Sequence, residues 1–314
     1  MAGSHPRERT ALILTVLDEA DTLCALLQSI AQQRLAPDEV VVVDGGSTDT
    51  TLEQLRGWSD RLPLRVLEAP GANISQGRNR AIAATSAEVI AVTDAGVHLE
   101  PDWLEQLHAR LAPDVDVVSG FFRADPQGVF ERALGATTLP SETDVNPRTF
   151  LPSSRSVLFR RAAWQRAGGY PEWLDYCEDL VFDLALRQMG CRFAFAPEAI
   201  AWFRPRPSLA AFFRQYYRYA RGDGKADLWR ARHTIRYATY LTAVALLVRR
   251  SRLSWLLLVG VAAYSRRPCQ RLDLRGLSGT RMVCALALVP VIRCVGDVAK
   301  MLGYPVGVWW RLRR

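Results

Sequence analysis

Carboxylates in this chain recur at one kind of place, the end of an apolar run. Val40-Val41-Val42-Val43 leads into Asp44-Gly45-Gly46-Ser47-Thr48-Asp49, and Val89-Ile90-Ala91-Val92 leads into Thr93-Asp94-Ala95-Gly96. The first apolar run, Ala11–Leu17, leads into Asp18 and Glu19. Four β-branched residues in a row read as a strand buried on both faces. A carboxylate at the tip of such a strand costs desolvation energy unless it meets a partner. In open α/β sheets that tip is where ligands bind. The acidic tips are expected to border one crevice, which a nucleotide with a divalent cation would fill.

The residues around the crevice suit different tasks. Asp44 can accept a hydrogen bond from a uracil- or guanine-like N–H or from ribose hydroxyls. Ser47 and Asp49 are as readily helix N-caps. Within Gly77-Arg78-Asn79-Arg80, Arg78 suits a phosphate and Asn79 a base or a sugar hydroxyl. Asp94 is the expected metal-side carboxylate, since Mg²⁺ or Mn²⁺ is commonly held by one or two carboxylates plus a diphosphate and then acts as a Lewis acid. Gly96 stands two positions on, and His98 is a second candidate metal ligand. Glu178-Asp179 precedes a helical stretch. A carboxylate at a helix N-terminus is stabilised in its charged form and can take a proton from an acceptor hydroxyl; simple N-capping is the alternative. Cys177 has no histidine near it in sequence. No G-x-G-x-x-G follows the first strand, which argues against a dinucleotide-binding oxidoreductase.

The elements that must position these residues alternate. Strands are expected at 11–17, 40–43, 64–67, 89–92 and 115–120, with helices at 21–33, 50–58, 75–85 and 101–111. Thr50 and Glu53 have capping-box spacing. Repeated β-α-β units imply an α/β, mostly parallel, doubly wound sheet flanked by helices. From Phe121 to Phe159 the pattern breaks at Pro126, Pro140, Pro147 and Pro152, so loops facing an acceptor are expected there. Regular structure returns at 162–167, and a helix at 179–189 and a short strand at 193–196 complete the body, which is expected to span residues 1–205.

Composition changes after that point. Residues 1–200 carry 18 Lys+Arg against 28 Asp+Glu, and residues 201–314 carry 22 against 4. The basic part is also the apolar part, so anionic lipid is a better partner for it than nucleic acid. Residues 206–232 read as an amphipathic interfacial segment, with aromatics at 212, 213, 216 and 217 and arginines at 214, 218 and 221; a core helix with solvated arginines is the alternative. Residues 233–314 hold three apolar runs, 237–248, 253–264 and 283–295, each shorter than the roughly 20 residues that span a bilayer. Short helices dipping into the inner leaflet are expected, ahead of full spans and then of buried soluble helices. Met1 to Thr10 lacks the charged and apolar regions of a secretory leader, so the body is expected in the cytosol, at the cytoplasmic face of the inner membrane. Six cysteines without CxxC pairing are expected to be free buried thiols.

Together these residues resemble a family 2 glycosyltransferase of the GT-A fold, from about Thr10 to Gly224. Thr15 to Glu19 is similar to the family's opening after the first strand, with Thr15 and Asp18 in place of Pro and Asn. Asp44 to Asp49 resembles its acidic serine-containing turn, Gly77-Arg78-Asn79 its helix before the metal strand, and Thr93 to Gly96 its Asp-x-Asp motif with Gly for the last Asp. Glu178-Asp179 resembles its Glu-Asp motif. Gln215-Tyr216-Tyr217-Arg218-Tyr219 resembles the Gln-x-x-Arg-Trp motif of its membrane-bound processive members, with Tyr for Trp.

The resemblance implies a nucleotide-diphosphate sugar donor held by Thr15, Leu17, Glu19, Asp44, Ser47, Arg78, Asn79 and Asp94, with Mg²⁺ or Mn²⁺ on Asp94; with Gly96 for the last Asp, either Asp94 suffices with His98 or water completing the shell, or the metal is needed less. It implies catalysis at Asp179 and Glu178, with Asp179 as base in an inverting displacement. Leaving-group and acceptor contacts fall to Gln215, Arg218, Tyr219 and Arg221, and the acceptor is a saccharide or a lipid-linked one. Two other readings stand beside it, a catalytically silent nucleotide-sugar-binding membrane protein and a polyprenyl-phosphate sugar transferase.

Overall fold

A computed structural model describes residues 7–313. The polar stretch before Arg7, read above as having no leader pattern, lies outside the described residues. The chain forms two units, one of Met1–Arg123 with Glu142–Phe203 and one of Ala124–Ser141 with Arg204–Arg314.

The first unit is an eight-stranded sheet with helices on both faces. Its strands are β1 (Thr10–Val16), β2 (Glu39–Asp44), β3 (Leu64–Glu68), β4 (Val89–Val92), β5 (Val97–Leu99), β6 (Val117–Ala124), β7 (Val157–Arg160) and β8 (Phe193–Phe203). Its helices are α1 (Ala20–Ala31), α2 (Thr51–Gly57), α3 (Ile74–Ala83), α4 (Trp103–Ala109), α6 (Arg161–Ala167) and α7 (Glu178–Gln188), while α5 (Val129–Thr138) belongs to the second unit. The strand order is β3-β2-β1-β4-β7-β6-β8-β5. β1 pairs in parallel with β2 and β4, and β2 with β3. β7 runs antiparallel to β4 and β6, and β5 to β8.

The unbroken valine run is explained by two apolar layers. Val40 and Val42 pack with Leu12, Leu14 and the α1 residues Leu23, Leu26, Leu27 and Ile30. Val41 and Val43 point the other way, among Ile13, the α3 residues Ala81 and Ile82, and the α7 residues Phe182 and Leu186. Successive side chains of a strand face opposite ways, so burial on both faces leaves no polar alternation to read. Gly77 fixes how closely α3 approaches β1, because a Cβ there would lie 2.6 Å from Thr15 Cγ2.

Several expectations change. Thr50 makes no capping bond through its side chain; Asp49 Oδ1 accepts from Thr51 N (2.9 Å) instead. At α3 the cap is Asn73, in a reciprocal box with Gln76. β5 escapes sequence reading because it is three residues long, and β8 continues to Phe203 through Pro197, a residue that normally argues against a strand. The stretch expected to be loops contains α5 and β7. The cysteines are free, but only Cys191 is buried, and Cys24, Cys284 and Cys294 are exposed.

The second unit is helical, with α5, α8 (Leu209–Lys225), α9 (Arg230–Val248), α10 (Trp255–Arg271) and α11 (Gly279–Leu312). Ser208 caps α8 by accepting from Ala211 N. α8 and α11 run side by side in the same direction, Phe212 meeting Gly296, Tyr217 meeting Gly303 and Arg221 meeting Gly307. A Cβ at Gly303 or Gly307 would overlap the carbonyl oxygens of Tyr217 and Arg221. The aromatic face of α8 is therefore largely core. Phe212 is buried and Tyr216 packs on the cluster formed with Ala285, Val289 and Ile292 of α11. The run that sequence ended at Val295 continues to Leu312. Among the described residues α11 is the one helix long and apolar enough to cross a membrane.

Candidate active site

Arg78 organises the tips of the sheet. It is almost wholly buried on α3, and its guanidinium donates from Nη1 to Glu178 Oε1 (2.9 Å) and from Nη2 to Asp94 Oδ1 (2.7 Å). The Tyr170 ring lies under it at 5.2 Å and is itself stacked on Phe182. One cation thus joins the end of β4 to the first turn of α7, residues 84 positions apart in sequence. The buried cation is matched by two carboxylates, the arrangement a desolvated charge requires. Asp94 keeps 26% of its side-chain surface accessible, whereas Glu178 keeps 9%.

The two members of the Glu-Asp pair differ. Burial first, and then the adjacent Asp179 charge, push Glu178 up to about 7 although Arg78 pulls the other way. Asp179 is half-buried in the first turn of α7, where Leu180 N donates to its Oδ1 (2.8 Å). The residue before them, Cys177, takes the N-cap position at φ 65° without capping through its side chain. One turn after Asp179 sits Asp183, buried, with no partner for Oδ2 and held well above the usual carboxylate range by burial and by Asp179.

The turns after β1 and β2 are laced to each other. Asp44 is buried, and its Oδ1 accepts from Gly46 N (2.8 Å) and Ser47 N (2.9 Å) and its Oδ2 from Ser47 Oγ (2.5 Å). Ser47 Oγ also accepts from Asp18 N (2.9 Å), and Asp18 Oδ1 from Thr48 N (2.7 Å). Asp18 holds φ 53°, a left-handed conformation that Asp tolerates. Asp44 and Ser47 thus shape the turn through their bonds to it. Glu19 Oε2 accepts from Thr22 Oγ1 (3.0 Å) and lies 3.9 Å from where a Cβ at Gly96 would be. Thr15 lies in β1 beneath Gly77, and Leu17 is exposed at the β1 tip.

Two other expected residues, Asn79 and His98, have partners within the fold. Asn79 Nδ2 donates to Tyr170 O and Glu172 Oε1, and its Oδ1 accepts from Tyr170 N and Trp164 Nε1, at 2.8–3.1 Å. Its amide pins the Gly169–Glu172 turn. His98 lies on β5 with its ring stacked on Trp202, its paired residue on β8. No group of three or more His, Cys, Asp or Glu among the described residues could hold a metal. Asp94, at the end of β4, keeps accessible surface. The donor set still suits Mg²⁺ or Mn²⁺ in the form where phosphate oxygens supply other ligands, because Asp94 gives one oxygen to Arg78 and retains accessible surface.

Sequence reading missed Tyr170 and Asp183. The Gly168-Gly169-Tyr170-Pro171 segment was legible only as a turn, whereas the four-residue spacing of Asp179 and Asp183 was a usable signal for one helix face. Gln215, Arg218, Tyr219 and Arg221 all lie on α8 in the second unit, where Gln215 Nε2 donates to Tyr219 Oη (2.9 Å).

Residues 89–299 match the model of "Glycosyl transferase family group 2", and residues 11–165 that of "Glycosyl transferase family 2". Succinoglycan biosynthesis protein ExoA of Rhizobium meliloti is 28% identical over 68% of this chain and 68% of its own length. O-antigen chain rhamnosyltransferase RfbN of Salmonella typhimurium is 24% identical over 65% of this chain and 70% of its own. Validoxylamine A glucosyltransferase of Streptomyces hygroscopicus is 35% identical over 40% of this chain, which covers 29% of that protein. In fold, the mannosyltransferase PcManGT from Pyrobaculum calidifontis superposes with a TM-score of 0.66, at 20% identity, over 94% of this chain and 88% of its own.

Proposed function

Because the chain belongs to glycosyl transferase family 2, we propose that it moves a sugar, with inversion, from a nucleotide-diphosphate sugar to a saccharide or lipid-linked acceptor at the cytoplasmic face of the cell membrane. The observation that carries this reading is Arg78 bonded both to Asp94, at the end of β4, and to Glu178, the residue before Asp179. The named structural neighbour was solved with GDP-Man and Mn²⁺, in keeping with a nucleotide-sugar donor and a divalent ion here.

The nucleoside lies along the laced turns, against Thr15, Leu17 and Glu19. Arg78 keeps Asp94 turned toward the donor diphosphate. A divalent ion held by Asp94 and the diphosphate would supply charge neutralisation to the leaving group. Asp179 takes the proton of the acceptor hydroxyl as its oxygen attacks the sugar C1 from the face opposite the diphosphate. The C1–O bond breaks in the same displacement, and its electron pair leaves with the nucleoside diphosphate. Glu178, bonded to Arg78, fixes the helix start that carries Asp179. α8, with Gln215, Arg218, Tyr219 and Arg221, serves the leaving group or acceptor. Exposed Leu241, Leu247, Leu258, Val261 and Val283 on α9, α10 and α11 support embedding of the helical unit in lipid.

The test uses membranes holding the full chain, a panel of labelled UDP-, GDP- and dTDP-sugars, and added or chelated Mn²⁺. Asp179→Asn is expected to lower transfer by about 10³-fold or more while donor binding stays within about threefold. Equal loss of binding and transfer would remove Asp179 as the base. Donor binding with neither transfer nor donor hydrolysis across the panel would favour the silent binding protein, a reading motivated by Gly96 and the sparse metal ligands.

A further inference from the structure

Asp297 lies inside α11 and is 4% exposed. Its Oδ1 accepts from Arg236 Nε of α9 (2.8 Å), and its Oδ2 from Tyr240 Oη of α9 (3.2 Å) and Tyr264 Oη of α10 (2.9 Å). Arg236 Nη1 lies 3.1 Å from His233 Nδ1, and His233 Nε2 lies 3.1 Å from Asp223 Oδ2 of α8. The His233 ring stacks on Tyr304 of α11. A connected set of polar groups therefore runs through four helices of one unit. Ionisable groups on apolar helices are costly and commonly mark a functional site.

The charges in this set do not balance. Its carboxylates are Asp223 and Asp297. Arg236 belongs to Asp297, yet Arg293 and Lys300 stand four residues before and three after Asp297, on the same face of α11. Neither forms an ion pair with a carboxylate among the described residues. Arg293 rests on the Tyr264 ring at 4.3 Å, and its buried Nε has no hydrogen-bond partner. Lys300 Nζ rests on the Tyr216 ring at 4.8 Å, within electrostatic reach of Arg236 and Arg293 as well as of Asp223 and Asp297. Aromatic faces soften the cost of such cations but do not neutralise them. An anion is missing, and the neighbouring surface is apolar, with Val291, Val298 and Leu302 exposed on the same helix.

We propose that Arg293, Lys300 and Arg236 bind the phosphate or diphosphate head of a lipid, whose tail lies along the exposed valines and leucine of α11. This deepens the lipid-linked form of the proposed acceptor and rests on that reading. Asp297 orients Arg236 and joins the helices, while the two cations without carboxylates meet the phosphate oxygens.

The full chain in detergent micelles is titrated with farnesyl diphosphate, farnesol and inorganic pyrophosphate, with thermal stabilisation as readout and a nucleotide-diphosphate sugar added in parallel. Farnesyl diphosphate is expected to stabilise the protein, and the other two are not. The double variant R293Q/K300Q is expected to weaken that effect about tenfold or more, and R293K/K300R to keep most of it, since both keep the charge. Stabilisation by farnesol alone, by free pyrophosphate to the same extent, or undiminished in R293Q/K300Q would overturn the site. The donor arm separates the two readings, because loss of lipid binding with intact donor binding strikes this site alone, whereas absence of donor binding in the wild type strikes the proposed function.

Discussion

Arg78 is legible in sequence as a phosphate ligand, and in the fold its guanidinium bonds two of the protein's own carboxylates, Asp94 and Glu178. The same arrangement sets a pH dependence. Glu178 has an unfolded value near 4.5 and a folded value of about 7. The folded state therefore prefers the protonated acid. Its contribution is fully present below about pH 4.5 and is lost as pH rises through about 7. Glu178→Gln, neutral throughout, is expected to lose less stability than the wild type between about pH 5 and about pH 8. Urea midpoints measured across that range check it, and parallel curves would contradict the assignment. The acidic strand tips were readable because each follows an apolar run directly. The use of Asn79 was not, because its partners at Trp164, Tyr170 and Glu172 are about 90 positions away in sequence and nothing local records them.

At the scale of elements, the parallel half of the sheet was visible as alternating apolar runs and amphipathic stretches. Of the antiparallel half, β6 and the start of β8 were visible, whereas β7 fell in the stretch read as loops, β5 is only three residues long and β8 carries a proline that reads as a stop. α11 was cut short for a physical reason. Asp297 and Lys300 look like the charges that end an apolar run, but they face inward to Arg236 and Tyr216. The closeness of α8 and α11 depends on Gly303 and Gly307 rather than on large side chains. Gly303→Ala and Gly307→Ala each force a methyl into a backbone carbonyl, and each is expected to cost about 1–3 kcal/mol. Gly260→Ala on α10, where a methyl meets nothing within 4 Å, is expected to gain up to about 1 kcal/mol from helix propensity. Melting temperatures of the three variants test the contrast, and equal effects would remove the close packing as the cause.

For the molecule as a whole, acidic and basic residues are segregated along the chain, with 28 of 32 carboxylates before residue 201. The apolar helical surface and the surrounding arginines suit a bilayer with anionic head groups. Membranes holding the full chain are expected to retain it through a carbonate wash at high pH, which strips proteins held by charge alone. Recovery in the supernatant would limit the attachment to the surface.

The excursion of Ala124–Ser141 out of the first unit also constrains biosynthesis. α5 carries Ala133 and Leu134, whose partners Phe212, Ala285 and Ile292 are encoded far downstream. A ribosome emits α5 and must then translate roughly 75 further residues, taking about 4–15 s, before the first of those partners emerges. Through that interval the nascent chain displays a sticky helix with nothing to cover it, and a chaperone or the insertion machinery is the natural shield. A chain terminated at Phe203 would display it permanently, so clipping the helical tail from this enzyme invites aggregation.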